Sequence, residues 1–110
     1  MIQMIDINSF GLLGGDRRQA ALADALARDG CTVRVWGLDG LPLDPKVKQC
    51  ALDELLNNSA VVILPLPATA DGRTLNAPYA PQPLVLDDAF AERLQFKEVY
   101  GGRMAAVYAT

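Results

Sequence analysis

Ala60-Val61-Val62-Ile63-Leu64 is an unbroken apolar run ended by Pro65 and Pro67. A strand written this way has no polar face, so both of its sides must be covered. Strands of that kind belong to parallel sheets sandwiched between helices. The preceding segments supply the neighbours. Phe10 to Leu13 is a short apolar run closed by Gly14-Gly15, and Arg17 to Arg28 has helix-forming composition between Asp16 and Asp29-Gly30. Cys31 to Trp36 then alternates Val33 and Val35 with Thr32 and Arg34. This is one β-α-β unit, with the right-handed crossover such units take. In its helix, Leu22 and Leu26 with Ala23 and Ala25 give the apolar stripe, and Gly30 suits the position just past the C-terminus. Cys31 is expected to open a buried strand as a small hydrophobe.

The remainder continues the alternation. Gly37 to Pro45 reads as loop, Leu52 to Asn58 as a short helix, and Ala68 to Pro83 as a long connection without periodicity. A loop of that length in a compact domain is commonly functional or mobile. Asp87 to Leu94 reads as a helix that Asp87-Asp88 start and cap, and Lys97 to Tyr100 as a fourth strand closed by Gly101-Gly102. Met104 to Ala109 fits either a terminal strand or the start of a helix. The fold class is therefore α/β, an open parallel sheet in three layers, flavodoxin-like or half of a Rossmann domain, as one domain over residues 1–110.

Composition narrows the function. With 110 residues and 51% of them hydrophobic, the chain has enough material for a core and is not of disordered type. There is no histidine, which removes Ser-His-Asp and Cys-His catalysis, histidine zinc sites and the usual pH switch. The net charge is −3 and no basic stripe interleaves with aromatics, so nucleic acid is not an expected partner. Cys31 and Cys50 lack metal-ligand spacing, and no metal site is expected. No apolar run approaches the ~18 residues of a membrane helix, and Met1 to Phe10 has no basic leader region, so a cytoplasmic location is the expectation.

Ligands of open α/β sheets sit at the carboxyl ends of the strands. Two stretches stand there. Gly14-Gly15-Asp16-Arg17-Arg18 offers close backbone approach, a helix start and two arginines able to hold a carboxylate or phosphate. Equally, the glycines can make a tight turn, Asp16 cap the helix and the arginines lie solvated. The dinucleotide fingerprint is not present: counting from Gly14, its second and third glycine positions hold Asp16 and Gln19. Asp39 after the second strand is a weak ribose-binding candidate without it. In the second stretch, Pro67, Thr69, Asp71 and Asn76 follow the third strand, where an Asp71-Gly72 turn and uncharged hydrogen-bonding groups could wall a polar site or simply connect two elements.

Gly14-Gly15-Asp16-x-Arg18-Gln19, then Leu64-Pro65-Leu66-Pro67, then Asp71-Gly72 with Asn76-Ala77-Pro78-Tyr79, closing on Val99-Tyr100-Gly101-Gly102, resemble in order and spacing the N-terminal domain of the dipicolinate synthase A subunit. The resemblance runs from about Phe10 to Arg103. It implies the substrate-side domain of a nicotinamide-dependent oxidoreductase that forms dipicolinic acid, a sporulation product branching from lysine biosynthesis, in the mother-cell cytoplasm. It further implies, as partner, the flavoprotein-like B subunit of dipicolinate synthase. A small dicarboxylate would be held by Gly14, Gly15, Asp16, Arg17, Arg18, Pro67, Thr69, Asp71 and Asn76. NADP(H) would then belong to a companion Rossmann domain outside this chain, which alone would lack activity. The alternative from another class is a non-enzymatic α/β module that binds a small anion or docks a partner protein. Apolar surface left by a missing companion would also let the isolated chain form a homodimer.

Overall fold

The computed structural model describes residues 7–100 apart from 70 and 96. Along the chain these form β1 (Ser9–Leu13), α1 (Arg17–Arg28), β2 (Thr32–Trp36), β3 (Lys48–Gln49), α2 (Leu52–Asn58), β4 (Val61–Ile63), α3 (Asp88–Arg93) and β5 (Glu98–Tyr100). All neighbours pair in parallel, and the strand order is β3-β2-β1-β4-β5. The sheet is thus the open, all-parallel α/β type read from the sequence. The readings for 101–103 and 104–109 fall outside the described residues.

Two clusters bury the sheet's faces. Leu12, Val33 and Val35 pack with Ala20, Ala23 and Ala27 of α1 on one side. Leu13, Trp36, Val62 and Leu64 pack with Leu55 and Leu56 of α2 and Phe90 and Leu94 at α3 on the other. Adjacent residues such as Leu12 and Leu13 therefore serve opposite layers, as strand alternation requires.

The apolar stripe of α1 differs from the expected one. Its buried residues are Gln19, Ala20, Ala23 and Ala27, while Leu22 is 38% exposed and Ala25 lies at the surface. Small residues let the helix axis approach β1 and β2 closely, and the register that achieves this turns Leu22 away from them. The helix ends in a Schellman motif: Cys31 N–H donates to Leu26 O and Gly30 N–H to Ala27 O, with Gly30 in the left-handed conformation at φ +94°. Cys31 consequently lies just before β2 and is half-buried, not inside a buried strand. Asp87 caps α3 by accepting from Phe90 N–H at 2.9 Å, as its sequence position suggests.

The 65–86 connection is organised. Ala68 and Leu75 are buried, Asn76 N–H donates to Ala68 O, Leu75 N–H to Leu84 O and Leu86 N–H to Arg73 O. Gly15 N–H donates to Asn76 O at 2.8 Å, which ties this segment to the β1–α1 turn.

Candidate functional site

In an order β3-β2-β1-β4-β5 the chain runs outward from β1 in one direction through β2 and in the other through β4. The connections diverge between β1 and β4, and a crevice opens beyond the carboxyl ends of these strands. A hollow of about 340 Å³ lies there, at the small end of the range for ligand pockets. The β1–α1 turn and the start of α1 line it with Gly15, Asp16, Arg18, Gln19 and Leu22. The β4 exit contributes Ile63, Leu64, Pro65 and Leu66, and Asn76 and Tyr100 complete the wall.

The crevice is built by Gln19. Its side-chain amide nitrogen donates to Leu13 O at 3.4 Å and to Ile63 O at 3.0 Å. These are the last carbonyls of β1 and β4, where the ladder between them stops, and a buried carbonyl without a partner would be costly. Gln19 is 7% exposed and is part of the lining of the hollow.

Charge at the rim comes from Asp16 and Arg18. Asp16 caps α1 through Oδ1, which accepts from Arg18 N–H at 2.9 Å. The same carboxylate grips the guanidinium: Oδ1 accepts from Nε and Oδ2 from Nη2, both at 3.2 Å. Arg18 Nη2 also donates to Leu66 O at 3.0 Å, bridging the two walls. The Arg18 side chain is 72% exposed, so this pair is solvated and its geometry matters more than its net attraction.

The guanidinium hydrogen bonds, followed by the backbone N–H of Arg18, hold the Asp16 carboxyl below its ordinary 3.8. A carboxyl whose folded pKa is depressed stabilises the fold above its unfolded value, and that contribution disappears as pH falls through the folded value. The stability difference between the natural protein and Asp16→Asn is therefore expected to be constant above about pH 5 and to shrink as pH drops below about 4. Urea midpoints across this range check it; a difference that stays level into acid would show that Asp16 gains nothing from ionisation.

The residues singled out from the sequence separate here. Gly15, Asp16, Arg18 and Asn76 meet at the hollow, while Arg17 is exposed and is not part of its lining. Gly14 packs beneath the 75–77 segment, its N–H donating to Trp36 O at 2.7 Å. Pro67 contributes its carbonyl, which accepts from Asn76 Nδ2 at 3.1 Å. Thr69 and Asp71 are absorbed in their own turn: Thr69 Oγ1 accepts from Gly72 N–H, and Asp71 Oδ1 from the N–H groups of Arg73 and Thr74. The structure adds Gln19, Leu22 and Tyr100, which sequence reasoning does not place at the site. Gln19 stands in the Gly14–Gln19 motif, but only the topology shows that its amide spans two strand ends.

The N–H of Gly15 is given to Asn76 O, and the start of α1 is capped by the Asp16 carboxylate. Among the described residues no group of His, Cys, Asp and Glu is placed to hold a metal ion, and no helix is long and apolar enough to cross a membrane.

Comparison with known proteins gives the following. The family model for the N-terminal domain of the dipicolinate synthase A subunit matches residues 9–107. The crystal structure of the dipicolinate synthase A subunit from Bacillus halodurans aligns with a TM-score of 0.70 at 22% identity, over 91% of this chain and 35% of that one. The A chain of dipicolinate synthase from Bacillus subtilis aligns with a TM-score of 0.73 at 20% identity, over 96% and 39%. At such identities the likeness is one of fold, and the chain spans little more than a third of the length of either structure. No curated protein matches it in sequence.

Proposed function

The chain belongs to the family of N-terminal domains of the dipicolinate synthase A subunit, and from this premise we propose that it is the substrate-side domain of a dipicolinate-forming oxidoreductase. The observation that supports this best is the placement of Arg18 at the rim of a small hollow in the crevice between β1 and β4. The Arg18 guanidinium spends its Nε and Nη2 hydrogens on Asp16 and Leu66 O, which leaves the two N–H groups of Nη1 for a ligand carboxylate, and apolar walls such as Ile63 and Leu64 suit a ring. In this reading the domain binds and orients a small dicarboxylate. A nicotinamide cofactor, NADP(H), is held by a companion dinucleotide domain beyond these residues, and the partner is the flavoprotein-like B subunit. The setting is the mother-cell cytoplasm during sporulation, on a branch of lysine biosynthesis.

One further observation supports a cleft shared with a second protein surface. Leu66, Tyr100 and Leu22 stand around the hollow at 63%, 54% and 38% exposure. Apolar side chains gathered in this way favour burial against another domain or protein. That fits both the two-domain enzyme and the alternative, a module whose role is docking.

Titrating this chain with pyridine-2,6-dicarboxylate and, separately, with NADPH during thermal unfolding tests the proposal. Dicarboxylate at 100 times its dissociation constant is expected to add about 2.7 kcal/mol, a rise of several degrees, and NADPH none. Stabilisation by NADPH alone, or no response to millimolar dicarboxylate, would overturn the assignment of the substrate side to this domain.

A further inference from the structure

We propose that Glu54 is a two-position carboxylate, which holds Lys48 in this structure and passes to Arg34 when Lys48 loses its charge. The charge on Lys48 then sets how firmly β3 is fastened to the sheet. What points there is a buried donor left without an acceptor, beside a carboxylate engaged elsewhere.

The cluster joins three elements at the β3 edge of the sheet, with Arg34 on β2, Lys48 on β3 and Glu54 on α2. None of the three lines the hollow. Glu54 Oε2 accepts from Lys48 Nζ at 2.7 Å and lies 3.8 Å from Arg34 Nε, too far for a hydrogen bond. Arg34 Nε is buried and has no hydrogen-bond partner. Its guanidinium makes one long bond, from Nη1 to Asn58 O at 3.5 Å. The Lys48 side chain is 61% exposed and that of Arg34 only 19%. The carboxylate thus serves the cation that water could serve, and leaves the donor that water reaches least.

Lys48 brings its ammonium to Glu54 on a flexible stem, a freedom the largely buried Arg34 lacks. The Lys48 hydrogen bond holds the Glu54 carboxyl below its ordinary 4.5, so the group is charged at neutral pH and open to either cation. Without the charge on Lys48, Arg34 is the cation that remains beside it, and a rotamer change suffices to make the bond. That bond ties α2 to β2 and leaves β3 to its ladder. β3 is two exposed residues, paired as Arg34↔Lys48 and Val35↔Gln49, with Cys50 N–H donating to Val35 O at 3.1 Å just beyond. Val47, buried just before it, anchors its start, so the loosened part is residues 48–50. Their departure bares the backbone of Arg34 and Val35 as an open sheet edge.

Amide hydrogen exchange at Cys50 on the full-length protein, with urea midpoints beside it, tests the proposal. Lys48→Met is expected to speed that exchange about threefold, the scale of one exposed ion pair, and to leave the midpoint unchanged because Glu54 gains Arg34 as it loses Lys48. Glu54→Gln is expected to speed the exchange and also lower the midpoint, since Arg34 then has no carboxylate to turn to. Lys48→Arg keeps the charge and should behave as the natural protein does. A crystal structure of Lys48→Met should show a Glu54 oxygen within about 3.2 Å of Arg34 Nε. A carboxylate that stays away from Arg34 in that structure overturns the proposal. It is equally overturned by unchanged exchange at Cys50 in Lys48→Met, by a midpoint that falls as far there as in Glu54→Gln, or by a Lys48→Arg variant that exchanges as fast as Lys48→Met.

Discussion

Gly14→Ala is expected to cost the domain about 3 kcal/mol, whereas Gly30→Ala costs about 1 kcal/mol. Both glycines have positive φ, +61° and +94°, so an alanine at either pays for the left-handed backbone. Only Gly14 also lacks room. A Cβ there would lie 2.7 Å from Ala77 Cβ and 3.0 Å from Asn76 O, while nothing lies within 4 Å of the corresponding atom at Gly30. Relief would require the 75–77 segment to lift, which would strain the bond from Gly15 N–H to Asn76 O and displace Asn76 from the hollow. Chemical denaturation of the two variants provides the measurement, and the larger loss corresponds to a fall in Tm of more than about 10 °C for a domain of this size. Equal losses at the two sites would mean that the connection yields freely, and that the glycine pair is needed for its backbone angles alone.

The same contact explains why parts of the molecule are legible in the sequence and parts are not. The strands at Val33–Val35 and Val61–Ile63 declare themselves because β-branched runs bounded by Gly and Pro have few other uses, and α1 is marked by Asp16 and Gly30 at its ends. β3 gives no such signal. Lys48 and Gln49 are exposed at the sheet's edge and are a strand only because Arg34 and Val35 pair with them. The buried face of α1 misleads because leucine outranks alanine in any apolar count, while close packing of helix on sheet rewards the alanines at 20, 23 and 27. Along 68–83 no period exists to be read. Its order comes from two buried anchors, Ala68 and Leu75, and from hydrogen bonds to a turn far back in the chain, contacts that no local pattern announces.

For the site, the Gly14–Arg18 stretch is legible as a strand-end turn, but two adjacent arginines are not separable by chemistry. Helix geometry separates them. Successive residues on a helix are turned by about 100°, which starts the Arg17 and Arg18 side chains in different directions. Arg18 lies at the rim, hydrogen-bonded to Asp16 and Leu66 O; Arg17 is exposed and outside the lining.

Arg18→Ala is accordingly expected to raise the Kd for pyridine-2,6-dicarboxylate about 10- to 100-fold, the effect of losing a charge-assisted hydrogen bond to a carboxylate. Arg17→Ala, and Arg28→Ala at the far end of α1, should change it by less than about twofold, as dispersed surface charges do. Arg18→Lys keeps the charge without the fork and should fall between. Because Arg18 Nη2 also joins the two walls through Leu66 O, each variant's urea midpoint must be measured beside its affinity. A loss of binding with an unchanged midpoint assigns the effect to ligand contact. If instead Arg17→Ala weakens binding as much as Arg18→Ala, the anion is held on the outer surface of the α1 start, and the hollow between β1 and β4 is not where the dicarboxylate binds.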